Sequence, residues 1–191
     1  MKVYILLAEG FEEVEALTTA DILIRAGIDV KLVKLPIDED DIKNSFACGS
    51  HNIKVIPDLV VGKDTSAEEL MDGDCVILPG GMPGTRNLSA NCCCITLIKA
   101  YSSTGKKVAA ICAAPSVLGE NGLLEGKTAT CFPGNEEKLL GATVVSDGAV
   151  IDGNIITGKS MGSAVTFGLK VTEALLGKNE AAKIEASIYR G

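Results

Sequence analysis

The chain has 191 residues, with 18 Lys+Arg against 25 Asp+Glu and a single His, giving a formal net charge of −7. That length fits one domain over 1–191 that buries roughly 70% of its unfolded surface, and 47% hydrophobic with 23% charged residues excludes a disordered chain. The acidic balance argues against nucleic acid and an anionic membrane surface as partners, and the most apolar run, Val108 to Leu118, is too short for a membrane span and contains Pro115.

Taken in order, the chain alternates strands and helices. Val3-Tyr4-Ile5-Leu6-Leu7 is a continuous apolar run of the kind found in a strand covered on both faces. It runs directly into Glu9, Glu12 and Glu13 without a small-residue cleavage site, so a buried first strand is expected rather than a signal segment, and a cytoplasmic location. Val14, Leu17, Ile24 and Ile28 then recur at near-helical intervals, with Gly27 placed to end the helix. Val30 to Val33 predicts a second strand. Residues 36–52 read as a polar excursion, with a short strand at Ile53 to Ile56.

Cys75 to Leu78 is the next buried strand, ending at Pro79-Gly80-Gly81. Cys92 to Tyr101 predicts a helix, Val108 to Ile111 a strand, and the residues from Ala113 to about Leu118 a helix directly after Cys112. Ala142 to Val145 and Ala149 to Ile151 are strand-like, and Asp152-Gly153-Asn154 turns into Ile155-Ile156-Thr157. Helices at Ser163 to Leu176 and Asn179 to Ala186 close the chain. This alternation predicts an α/β fold with a mostly parallel sheet, whose site lies off the carboxyl ends of the strands.

Three such ends carry candidate chemistry. Cys112 lies between a buried strand and a helix start, as in a nucleophile elbow, where amides and the helix dipole lower a thiol pKa; a merely buried strand-end cysteine fits the same position. Glu15, past the acidic helix start Glu12-Glu13, is placed to sit half-buried beside the thiol and keep its proton. The Gly80-Gly81 turn lets backbone amides approach an oxyanion, and a ligand-free turn has the same sequence.

Seven cysteines without a C-x-x-C pair do not form a disulfide framework. Cys92-Cys93-Cys94 cannot converge on one ion from a helix, because adjacent residues point about 100° apart. His51 reads as a loop residue, and no metal site is expected.

Ala8-Glu9-Gly10-Phe11-Glu12-Glu13-Val14-Glu15, Leu78-Pro79-Gly80-Gly81 and Ala109-Ala110-Ile111-Cys112-Ala113-Ala114-Pro115 together resemble the ThiJ/PfpI superfamily. The likeness is to the branch that holds the Parkinson-associated protein deglycase and bacterial YajL. The resemblance implies a flavodoxin-like three-layer sandwich and a homodimer. It also implies Cys112 as the reactive cysteine, Glu15 as its protonated partner, and Gly80, Gly81 and Ala113 as backbone donors. Arg25 matches a pocket or dimer contact, and His51 stands where the branch has an arginine.

Two positions depart from relatives with histidine: Ala113 directly after the cysteine, and Phe132 before Pro133. Both disfavour a peptidase or amidase. The expected activity is cofactor-free detoxification of a small aldehyde or dicarbonyl, with a redox sensor or stress chaperone, in which Cys112 is oxidised to a sulfinate, as the alternative.

Overall fold

The computed structural model describes residues 1–189. In chain order it comprises β1 (Lys2–Leu7), α1 (Glu13–Arg25), β2 (Asp29–Lys34), α2 (Glu39–Lys43), β3 (Ala47–Cys48), β4 (Lys54–Val55), β5 (Leu59–Val60) and β6 (Cys75–Leu78). There follow α3 (Gly84–Ala90), α4 (Cys92–Ser103), β7 (Lys107–Ile111), α5 (Pro115–Glu120), β8 (Thr128–Ala129), β9 (Thr143–Val144), β10 (Ala149–Asp152), β11 (Ile155–Gly158), α6 (Ala164–Leu176) and α7 (Lys178–Ser187).

Seven strands form one sheet in the order β10-β11-β7-β6-β1-β2-β5. Every pairing in it is parallel except the β10–β11 hairpin. Because consecutive side chains of a strand face opposite ways, β1 feeds two cores. Val3, Ile5 and Leu7 pack with Ala16, Ala20 and Leu23 of α1 and Phe167 and Val171 of α6. Tyr4 and Leu6 pack with Leu97, Ile98 and Tyr101 of α4 and Val117 and Leu118 of α5. The result is helix, sheet, helix: the three-layer α/β sandwich expected.

The sheet grows outward from β1 in both directions, so β1 and β6 flank the point where strand order reverses. Ligands of such sheets bind in the crevice at that point, past the strands' carboxyl ends. Here those ends are Ala8 after β1, Pro79 after β6 and, one strand further, Cys112 after β7.

Two expectations need correction. Val14, Leu17 and Ile24 do not face the core; all three are exposed, and α1 buries Glu15, Ala16, Thr19, Ala20, Ile22 and Leu23 instead. The core-facing stripe carries Ile22 and Leu23 among smaller residues, and the close approach is permitted by a glycine on the partner helix: a Cβ on Gly168 of α6 would come within 3.1 Å of Ile22. The excursion at 36–52 is also more ordered than a loop. Lys34 is buried and its Nζ donates to the Asp41, Asn44 and Phe46 carbonyls while pairing with Asp41 Oδ1 at 2.6 Å. That lysine ties α2 and β3 to the end of β2.

Candidate active site

Cys112 has a φ of +66°, in the left-handed region that a residue with a Cβ enters only under constraint. Its amide donates to the Gly158 carbonyl at 2.9 Å, and its carbonyl accepts from the Phe132 amide at 2.8 Å. The turn is thus a strained elbow braced from both sides, which lifts the sulfur off the sheet edge.

Glu15 reaches this elbow from α1. The Gly80 amide donates to its Oε2 at 2.8 Å, Oε1 is buried with no partner, and the carboxyl as a whole interacts with the Cys112 thiol. A Cβ on Gly80 would lie 2.7 Å from Cys112 Cβ and 2.8 Å from Glu15 Oε2, so only glycine fits between them. Neighbouring turns lie backbone to backbone in the same way. Glu12 N donates to the Gly80 carbonyl at 2.9 Å, and Gly81, with φ +89°, leaves no space for a Cβ, which would sit 2.5 Å from Glu12 N.

Burial pushes the half-buried Cys112 thiol up to about 12, and the charge and hydrogen bond of Glu15 push the same way; the Ala113 and Gly81 amides pull down. Burial also lifts Glu15 to about 7, against the pull of the Cys112 and Gly80 hydrogen bonds, with the Glu12 charge adding a smaller push. The expectation of a thiol lowered by a helix N-terminus is therefore corrected. Helix α5 begins only at Pro115 and has six residues, and desolvation outweighs the two amide donors. What the geometry provides instead is a pair that carries one negative charge between about 7 and about 12, with two amides aimed at the sulfur.

The remaining candidates fall in several places. Gly81 and Ala113 donate to the sulfur, whereas the Gly80 amide is occupied by Glu15 and is not open to a substrate oxygen. Arg25 stands ten residues beyond Glu15, about 15 Å further along α1 by helical rise. It is exposed and pairs with Asp21 at 2.6 Å, so within one chain it does not reach the pocket. His51 sits against Glu12 and Glu13 rather than Cys112. Phe132 follows the elbow in space and is 46% exposed. Cys92 is exposed, Cys93 intermediate and Cys94 buried, so the triplet does not gather on one point.

The grouping of His51 with Glu12 and Glu13 was missed in the sequence. The acidic pair reads as a helix start, and nothing local shows that residues 49–53 fold over it. The helix-start reading also hides that Glu13 is 3% exposed.

The profile of the DJ-1/PfpI family matches residues 1–174. The chain is 35% identical over 182 residues to protein dj-1beta of Drosophila melanogaster, covering 94% of this chain and 92% of that one. It spans 41% and 45% of the two Arabidopsis thaliana DJ-1 homologs it also resembles. Among solved structures, a cysteine variant of a DJ-1 superfamily protein from Salmonella typhimurium superposes with a TM-score of 0.87 at 32% identity, over 100% of this chain and 98% of that one. Oxidized Toxoplasma gondii DJ-1 gives 0.87 at 30% identity, over 98% and 97%. No helix among the described residues is long and apolar enough to cross a membrane.

Proposed function

The chain belongs to the DJ-1/PfpI family, and on that premise we propose that it is a cofactor-free enzyme detoxifying reactive dicarbonyls such as methylglyoxal. The observation that carries this reading is the unpartnered, buried Oε1 of Glu15 beside the braced Cys112 elbow. A carboxyl oxygen in that position holds a proton best when it can donate it to sulfur. We assign the pair's single charge to the sulfur, against the rise that burial gives the thiol, because the Gly81 and Ala113 amides both pull on it while only the Gly80 amide steadies the carboxyl.

The thiolate attacks the aldehyde carbon and Glu15 gives its proton to the aldehyde oxygen, which yields a hemithioacetal and leaves Glu15 a carboxylate. Glu15 accepts the hydrogen of that carbon as a proton and returns it to the neighbouring carbonyl carbon, through an enediol. The first carbon is oxidised to a thioester while the second is reduced to a carbinol. Water then releases the hydroxy acid and the free thiol, so no external oxidant is used. Lactate formation from methylglyoxal by purified protein, with Cys112→Ser in parallel, tests this. Turnover unchanged in that variant, or absent from both proteins, refutes it.

A second reading is favoured by the same unpartnered oxygen: a protonated Oε1 and the two amides suit the oxygens of a cysteine sulfinate. Cys112 would then be an oxidation sensor. Intact mass after mild peroxide discriminates, since a gain of two oxygens located on Cys112 supports the sensor. We further infer a homodimer, with the exposed Val14, Leu17 and Ile24 of α1 covered by a second copy.

A further inference from the structure

We propose that Glu12, Glu13 and His51, with Ser50 or a water completing the set, bind a divalent ion of the zinc class at the start of α1. Two segments distant in sequence make this cluster. The turn at 49–53 lies on the entry to α1, where Ser50 N donates to the Phe11 carbonyl at 2.8 Å and Gly49 N to the Ile53 carbonyl at 3.0 Å. A Cβ on Gly49 would lie 2.3 Å from Glu13 Cδ, so the turn closes over the carboxylate only because position 49 is glycine.

Glu13 is held like a ligand. Its side chain is 3% exposed, and its Oε1 accepts from the His51 amide at 2.7 Å and the Ile53 amide at 3.4 Å. With one oxygen fixed by backbone, Oε2 is aimed at the centre of the cluster. Around that centre His51 Nδ1 stands 2.9 Å from Glu13 Oε2 and 3.6 Å from Glu12 Oε2. Ser50 Oγ stands 3.1 Å from Nδ1, 3.2 Å from Glu12 Oε2 and 3.3 Å from Glu13 Oε2.

A tetrahedral zinc ion with bonds of about 2.0–2.1 Å sets its ligand atoms about 3.3–3.4 Å apart. The five distances bracket that edge, so an ion enters with shifts of a few tenths of an ångström. Hydrogen bonding alone serves the cluster less well. At most two protons, one on Nδ1 and one on Ser50, lie between the two carboxylates, whereas a divalent ion neutralises both. The set of one imidazole and two carboxylates suits zinc rather than calcium, which takes six to eight oxygens. The His51 ring is 68% exposed, which opens a path for the ion.

The test is equilibrium dialysis of the full chain against Zn²⁺ alone, for the wild type, Cys112→Ser, His51→Ala and Glu12→Gln. One ion per chain is expected in the first two. Binding at least about tenfold weaker is expected in the last two, whose exposed or semi-exposed sites leave the core untouched. Co²⁺ in place of zinc should show d–d bands without the strong near-ultraviolet thiolate-to-metal band. Three results overturn the proposal: no ion held by the wild type, equal affinity in His51→Ala, or a thiolate band that disappears in Cys112→Ser. None of them bears on turnover at Cys112, so this site and the dicarbonyl reading stand or fall separately.

Discussion

The Gly80 amide donates to Glu15 Oε2 at 2.8 Å, which fixes one carboxyl oxygen and leaves the other, Oε1, buried without a partner. The chemistry of the pair follows from that division of labour, because the free oxygen is the one that holds or gives up a proton.

Alkylation of Cys112 should therefore follow the first ionisation of the pair. Both groups are raised by burial, so both are neutral in acid and reactivity is low there. With the charge assigned to the sulfur, the rate with iodoacetamide should climb and level off as pH rises through about 7, the value to which burial lifts Glu15. A midpoint near 12 would place the charge on the carboxylate instead and refute the assignment.

Glu15→Gln removes the proton carrier and keeps an N–H donor near the sulfur. Turnover of methylglyoxal should fall at least about 100-fold, as general acid–base catalysis is lost, while Cys112 stays open to alkylation. Steady-state kinetics and mass spectrometry on the same preparation check both halves.

Gly80→Ala should disable the site at its narrowest point. The new Cβ meets Cys112 and Glu15 at once, at 2.7 and 2.8 Å, and one side chain must leave its position. Overpacking of this kind costs about 1–3 kcal/mol. A fall in Tm together with loss of lactate formation is the expected result.

Asp41→Ala strands the buried ammonium of Lys34 with its carbonyl partners but no counter-charge. Breaking a buried pair from one side costs about 3–5 kcal/mol. The denaturant midpoint should drop accordingly, and limited proteolysis should cut first between 36 and 47.

Leu17→Glu on the outer face of α1 should leave Tm of the protomer nearly unchanged, since Leu17 is 38% exposed. Sedimentation should show the dimer reduced to monomer. A monomeric wild type would remove the ground for the prediction.

Much of the fold was legible because buried parallel strands are written as unbroken apolar runs. Val3 to Leu7, Cys75 to Leu78 and Val108 to Ile111 could be placed from hydropathy alone, and with them the three strand ends that surround Cys112. Ile53 to Ile56 marked β4, but other short elements were not legible: α3 (Gly84–Ala90), β3 (Ala47–Cys48) and β5 (Leu59–Val60) depend on tertiary contacts that leave no period in the sequence. The face of α1 was misread for a related reason. Val14, Leu17 and Ile24 mark the outside, while Ile22 turns inward against Gly168 of α6. The thiol's electrostatics went astray because desolvation is a property of the assembled site. A strand-to-helix junction announces amide donors but not how much water they displace.

The elbow is tied to Gly158 on one side and Phe132 on the other through main-chain atoms only. Side chains at 113 and 132 can therefore vary without moving the sulfur, since neither tether passes through them. Reactivity and selectivity are thereby inherited separately: the nucleophile stays put while the walls around it are free to diversify toward new reactants.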